Sequence, residues 1–181
     1  MNEFSKKATK CKKTKNDVVY TPIPLVLDHL NRVKKFIREG DVIYDPFYGE
    51  GAYFENYEKV FTMNNTFVMT EIALGTDFFD YDEPVDAIVS NPPYSKLRDI
   101  INKAISLNPR VISLLIGSLN IQPRRFEALY EAGYKLRDMY NCEVDTWFAT
   151  NLALTFVKDN DDSDNCSFGF SRERYRSSGN Q

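Results

Sequence analysis

Short apolar runs alternate along the chain with stretches of helical spacing, and glycine or proline marks most of the boundaries. At the start, Pro22 and Pro24 stop a strand-like VVY. Beyond them Leu25, Val26, Leu30 and Val33 to Ile37 form the inner stripe of a helix, with Gly40 as its terminus. The stretch DVIYDPFYGEGAYFENY predicts a short strand at Val42 to Tyr44, then an acid, a proline, two glycines one residue apart, and a helix from about Ala52. TFVMTEI is a second strand, ending at Glu71. GTDFFDYDEPV reads as a loop in which DFF begins a short helix or turn. Asp86 to Ser90 is a third strand, Leu97 to Leu107 has helical spacing, and Arg110 to Ser118 is a fourth strand. PRRFEALYEAGY is a helix with Pro123 at its start and Gly133 at its end. KLRDMYNCEVDTWFA and LALTFVK, joined near Asn151, pair as antiparallel strands. This succession predicts an α/β sandwich around a mainly parallel sheet that closes on a C-terminal hairpin.

A chain of 181 residues is expected to build one domain, and 43% hydrophobic with 27% charged residues is ordinary globular composition. No apolar run approaches the length of a membrane-spanning helix, and the first residues lack the apolar stretch of a secretion signal, so no membrane association and an intracellular, cytoplasmic or nuclear, location are expected. Cys11, Cys142 and Cys166 are too widely spaced for a disulfide framework or a metal motif and are expected to be free thiols. The net charge of −3 hides an asymmetry. Residues 1–16 form a basic arm with Lys6, Lys7, Lys10, Lys12, Lys13 and Lys15 against Glu3, either a solvated tail or a flexible contact to phosphates. Residues 17–158, the expected domain, carry 14 basic and 20 acidic residues, which argues against a uniformly basic face. Residues 159–181, poor in aliphatic side chains, read as a disordered or loosely attached tail.

Sheets of this kind bind ligands at the C-terminal ends of their strands, above all where the strand order reverses. Three expected strands deliver Asp45, Glu71 and Asn91 to such ends. Gly49 and Gly51 let backbone approach a ligand or simply make a tight turn. The loop is neither GxxxxGK[ST] nor GxGxxG, and Asp45 with Glu50 would repel a polyphosphate, so a neutral or cationic ligand suits it. Glu71 is placed either to accept from ribose hydroxyls or to cap the next segment. Asp77 is placed either to accept from an adenine amine or to cap a turn whose phenylalanines, Phe78 and Phe79, enter the core.

The run DAIVSNPPYS carries the most specific signal. Two prolines end the strand at about Asn91, because each lacks a backbone donor and constrains the residue before it. Asn91 brings a side-chain oxygen, Pro92 a carbonyl whose direction Pro93 restricts, and Tyr94 a flat face. Two fixed acceptors can hold an amino group by both hydrogens while the ring stacks on the base that carries it; the plain alternative is a rigid Asn-Pro turn.

Asn91-Pro92-Pro93-Tyr94 resembles the catalytic motif of S-adenosylmethionine-dependent amino methyltransferases, especially those acting on adenine N6 in DNA. Asp45-Pro46-Phe47-Tyr48-Gly49-Glu50-Gly51 resembles their cofactor loop, and Tyr20-Thr21-Pro22 the segment that closes over the methionine end of the cofactor. The motif order is that of the gamma arrangement. The resemblance, over roughly 18–158, implies a seven-stranded Rossmann-like class I methyltransferase sheet with a reversed final strand and S-adenosyl-L-methionine as cofactor. It implies Glu71 on the ribose, Asp77 on the adenine amine and Phe78 near its ring, no metal, and DNA or RNA as partner. Trp147 and Phe148 lie where such enzymes place an aromatic residue near the target base, or serve hairpin core or surface packing. Related motifs occur in RNA adenine and protein glutamine methyltransferases, and a catalytically silent binding protein or scaffold is the alternative of another class.

One departure stands out. With 39 residues between Gly51 and Asn91 and a short segment after the sheet, no target-recognition domain is expected within these residues. Either specificity is low, a partner protein supplies it, or the substrate is a nucleic acid with its own shape. A patch at Arg124 and Arg125 is a local phosphate contact or a solvated helix start.

Overall fold

The structure is a computed structural model that describes residues 20–147, 149–159, 163 and 165–176. Its centre is a seven-stranded sheet: β1 (Val42–Asp45), β2 (Thr66–Met69), β3 (Ala87–Ser90), β4 (Val111–Gly117), β5 (Lys135–Cys142), β6 (Asn151–Val157) and β7 (Ser167–Phe170). The spatial order is β2-β1-β3-β4-β6-β5-β7. Neighbours run parallel except where β6 lies antiparallel to both β4 and β5. Strands β3 and β4 are buried along their whole length and therefore read as continuous apolar runs.

Alternation along the strands divides the core in two. Tyr44, Ile88, Ile112 and Leu114 face α2 (Leu97–Ser106) and α3 (Pro123–Glu131), which contribute Ile100, Ile101 and Leu129. Ile43, Ala87, Val89 and Val111 face α1 (Ile23–Val33), which contributes Val26, Leu30 and Val33. His29 lies on the same buried stripe of α1. It is satisfied there by Tyr53 Oη at 2.8 Å from Nδ1 and Ser113 Oγ at 2.7 Å from Nε2, and Ser113 in turn bonds Thr155 Oγ1 at 2.8 Å. Burial holds the imidazole neutral, with its pKa lowered to about 3.

The fold and the hairpin are as the pattern predicts, with four differences. The expected helix after the glycine loop is a 3₁₀ segment, Phe54–Lys59. Its aromatic residues and asparagine are weak helix formers, and Tyr57 is pinned across the sheet, donating to Val89 O at 2.5 Å. The first helix gives way to a 3₁₀ turn at Lys34–Phe36, and Ile37 is already extended. The reversed strand is β6, inserted between β4 and β5, and not the last strand of the chain. Finally, the segment expected to be a loose tail supplies β7, which pairs parallel to β5.

That tail is held by polar and aromatic anchors, which aliphatic content does not reveal. Arg137 Nη2 donates to Asp159 Oδ1 at 2.7 Å and its Nη1 to Ser163 O at 2.5 Å. Lys35 Nζ reaches Ser167 Oγ at 3.0 Å. Tyr175 binds Asp28 on α1 and shares a hydrogen bond of 2.7 Å with Tyr140. Gly169 lies under the Arg32 guanidinium, which is itself fixed by two bonds to the buried Asp138, at 2.7 and 2.8 Å. Val18 and Val19 of the VVY segment and the six arm lysines lie outside the described residues, as does Phe148.

Candidate functional site

The order β2-β1-β3 means that the chain leaves β1 toward one side and later returns on the other, which creates a topological switch point between β1 and β3. The ladder between them registers only Ile43 with Ala87 and Tyr44 with Ile88, ending before Asp45 and Ser90. Into that opening point the side chains the sequence singles out. Asp45, 0% exposed, accepts from Ser90 Oγ at 2.5 Å and from Phe47 N at 3.2 Å through Oδ1. Its Oδ2 is buried without a hydrogen-bond partner. Burial raises the carboxyl pKa to about 6, and hydrogen bonding from Ser90 and the nearby backbone only partly offsets it.

The glycine loop turns back over this carboxylate. Gly49 has φ 57° and Gly51 φ 81°, the left-handed region that glycine enters without cost. At Gly51 space matters as well: a Cβ would lie 2.7 Å from the Glu55 carboxylate and 2.8 Å from Tyr48 Oη. Tyr48 N donates to Thr70 O at 3.2 Å and Gly49 N to Glu71 Oε2 at 2.9 Å, so the loop is tied to the end of β2. Pro46 is likewise anchored, its carbonyl accepting from Thr70 Oγ1 at 3.1 Å. Glu71 Oε1 accepts from Ala73 N at 3.0 Å, so Glu71 does cap the next turn. Each of its oxygens retains a second lone pair for a ligand.

Asp77 caps its own turn, with Oδ1 accepting from Phe79 N at 3.0 Å. The two phenylalanines part company. Phe78 is buried with its ring 5.2 Å from Phe47 and 6.0 Å from Tyr44, whereas Phe79 stays at the surface beneath Lys96 Nζ.

The NPPY turn leaves β3 beside Asp45. Asn91 and Tyr94 are half-buried, and Asn91 Nδ2 donates to Thr21 Oγ1 at 3.0 Å. Thr21 is thus brought from the far end of the chain onto the turn. Tyr20 bonds Glu50 in the glycine loop, and that bond, with the nearby carboxylate charge, raises the phenol pKa. Pro22 is the N-cap of α1, with Pro24 in its first turn. One segment, Tyr20 to Pro22, therefore touches both the glycine loop and the NPPY turn. Trp147 packs against the cluster of Leu25, Leu115, Tyr140 and Val144, as a hairpin core residue does.

Residues that the motif reading missed also frame the site. Ser90 holds Asp45, and Gly117 and Asn151 lie against Tyr94. The available signals were a serine closing an apolar strand next to NPPY, and a glycine closing the run VISLLI.

No protein-family model and no curated protein matches the chain. Solved structures do match it. A Pyrococcus horikoshii protein assigned as an RNA methyltransferase superposes with a TM-score of 0.58 at 17% identity, covering 86% of this chain and 97% of that one. The Mtq2–Trm112 complex of E. cuniculi, which methylates the termination factor eRF1, matches with a TM-score of 0.58 at 18% identity, over 80% of this chain and 100% of that one. The methyltransferase subunit of a type I restriction-modification system from Streptococcus thermophilus matches with a TM-score of 0.55 at 16% identity, over 83% of this chain and 46% of that one. Likeness at these identities is one of fold, and the fold is that of the Rossmann-like class I methyltransferases.

Proposed function

We propose that this chain is an S-adenosyl-L-methionine-dependent methyltransferase acting on an exocyclic amine, the N6 of adenine in DNA. The observation that carries the reading is the convergence at the switch point of the Asn91–Tyr94 turn, the Asp45 loop and Thr21.

The residues present fit the cofactor. A buried carboxylate oxygen without a partner, beneath a loop whose glycines admit close backbone approach, suits a ligand with a cationic methionine end better than a phosphate. Tyr20 to Pro22 and Asp45 to Gly51 would hold that end, Glu71 the ribose, and Asp77 the adenine through the oxygen it does not spend on its cap. Phe78 supports this wall from the core. When bound, the cofactor supplies a methyl group on a sulfonium, which an amine can accept.

An adenine amine is a weak nucleophile because its lone pair is delocalised into the ring. Acceptors fixed on its two hydrogens, the Asn91 amide oxygen and the Pro92 carbonyl, favour the positive charge that develops on nitrogen as it attacks. Pro93 restricts the Pro92 carbonyl, and Thr21 holds the other end of the Asn91 amide. Tyr94 offers its face to the base, which aligns the nitrogen with the donor.

Charge along the chain supports a polyanionic acceptor. From Asp45 to Asp86 ten acidic residues stand against Lys59, whereas from Ala87 to Arg137 eight basic residues stand against three acidic ones. Lys96 and Arg98, just beyond NPPY, and Arg124, at the start of α3, are exposed. These three side chains and the lysine arm are the proposed phosphate contacts. A partner chain is the proposed source of sequence recognition.

Transfer of labelled methyl to a panel of DNA, RNA and protein, followed by digestion, tests this reading. N6-methyladenine in DNA is expected. N6-methyladenine in RNA alone, methylglutamine, or binding of the cofactor without transfer to any of them would each overturn it.

A further inference from the structure

Two residues outside the motifs occupy positions that strand chemistry alone does not explain. Gly117 ends β4 and Asn151 opens β6, and the two are opposite one another in the antiparallel ladder. Both are poor strand formers, yet they close two of the most buried strands of the sheet. Gly117 has φ −63° and ψ 135°, a conformation open to any residue, so its backbone does not require glycine. Its surroundings favour it. A Cβ there would lie 3.1 Å from Tyr94 Cε2, 3.4 Å from Asn120 Nδ2 and 3.6 Å from Asn151 Oδ1.

Asn151 is 3% exposed, and its side chain is committed at both ends. Nδ2 donates to Ala149 O at 2.9 Å, which turns Oδ1 toward the Tyr94 hydroxyl at 3.4 Å. Its backbone is held as well, with Cys142 Sγ donating to Asn151 O at 3.4 Å and Ser118 N to Thr150 O at 2.9 Å. An O–H···O contact of that length is weak, so it cannot fix the ring by itself. The glycine shelf at the ring edge and the amide at the hydroxyl restrain it together.

We propose that Gly117 and Asn151 are positioning residues for Tyr94. The glycine admits the edge of the ring, the asparagine anchors its hydroxyl, and between them they set the plane on which an acceptor base lies. The inference rests on the reading that Tyr94 faces the acceptor. In-line transfer is sensitive to small displacements, a 1 Å error costing about a hundredfold in rate. A ring pushed by a few tenths of an ångström is then expected to lose roughly fivefold to tenfold by the same relation.

Two measurements test it, and they fail separately. In the first, 3-fluorotyrosine is placed at position 94 and followed by fluorine NMR, which needs no activity. A restrained ring gives two resolved resonances for the two edge positions of the fluorine, and Asn151→Ala merges them into one averaged line. A single averaged line already in the unsubstituted protein overturns the proposal.

In the second, single-turnover transfer to an adenine-containing single-stranded oligodeoxynucleotide is compared for Gly117→Ala, Asn151→Ala, Asn151→Asp, Tyr94→Phe and the Asn151→Ala/Tyr94→Phe pair, with cofactor affinity measured by calorimetry. The expected result is a lower rate at unchanged cofactor affinity, partial recovery in Asn151→Asp, which keeps the acceptor oxygen, and a double variant no slower than Tyr94→Phe. Additive losses, or losses matched by weaker cofactor binding, would mean a merely structural role and overturn it. If the unsubstituted protein transfers no methyl group, the proposed function fails, and the fluorine spectra still decide whether the ring is held.

Discussion

Replacing Asp45 by asparagine removes a carboxylate whose ionisation works against the fold. Its pKa rises from 3.8 in the unfolded chain to about 6 in the folded protein, because the site is fully buried. Between those values the folded state holds a proton that the unfolded state has released. The protonated carboxyl therefore stabilises the fold below pH 4, and that contribution is lost as pH rises through 6. A displacement of this size is worth about 3 kcal/mol at 1.36 kcal/mol per pKa unit. His29 acts with the opposite sign: its pKa falls from 6.5 to about 3, so stability present above 6.5 is lost as pH falls, by roughly 5 kcal/mol in full. Between pH 4 and 6 the two slopes oppose and nearly cancel. Urea denaturation of the unsubstituted protein and Asp45→Asn across that window checks the reasoning. Relative to the unsubstituted protein, the variant is expected to gain about 3 kcal/mol between pH 4 and 7, whatever constant offset the amide introduces. His29→Gln is expected to expose the reverse slope. A difference between Asp45→Asn and the unsubstituted protein that does not change with pH would refute the assignment of a buried, proton-holding Asp45.

On the proposed assignment of Asp45 to the cofactor's cationic end, the same carboxylate makes binding depend on pH, because a cationic ligand beside it favours its ionised form. Affinity for S-adenosylmethionine is expected to rise from pH 5 to 7 with release of a proton, detected as a dependence of the calorimetric heat on buffer ionisation enthalpy at pH 6. Gly51→Ala forces a side chain into left-handed backbone against Glu55 and Tyr48, which should cost about 1–2 kcal/mol in denaturation and weaken cofactor binding. Asp138→Ala strips the buried partner from Arg32 and Lys35. A loss of about 3 kcal/mol is expected, at the low end for a buried ion pair because Arg32 is a quarter exposed, and an unchanged denaturation midpoint would contradict the clamp on the C-terminal strand.

What the sequence made legible is local. Apolar runs closed by Asp45 and Asn91 mark strand ends because a proline follows each and leaves few backbone options there, and NPPY names its own turn. What it hid is carried by contacts between distant residues. Strand β7 has little aliphatic content and is held by Arg32, Lys35, Arg137 and Tyr175, partners contributed by α1, the 3₁₀ turn that follows it, β5 and the tail itself. The 3₁₀ segment after the glycine loop is fixed by Tyr57 reaching Val89, a bond no window of sequence contains. Gly117 and Asn151 matter through Tyr94, which is more than twenty residues from the nearer of them. His29 was the one such case with a visible signal, since it falls on the buried stripe of α1 between Val26 and Leu30.

The central claim is that the turn after β3 presents acceptors to an amine opposite the methyl donor. Cofactor binding and methyl transfer, measured side by side on Asn91→Ala and the unsubstituted protein, test it most directly. The account predicts a transfer rate reduced by about a hundredfold to a thousandfold with cofactor affinity largely retained. Transfer by Asn91→Ala at the unsubstituted rate would contradict it.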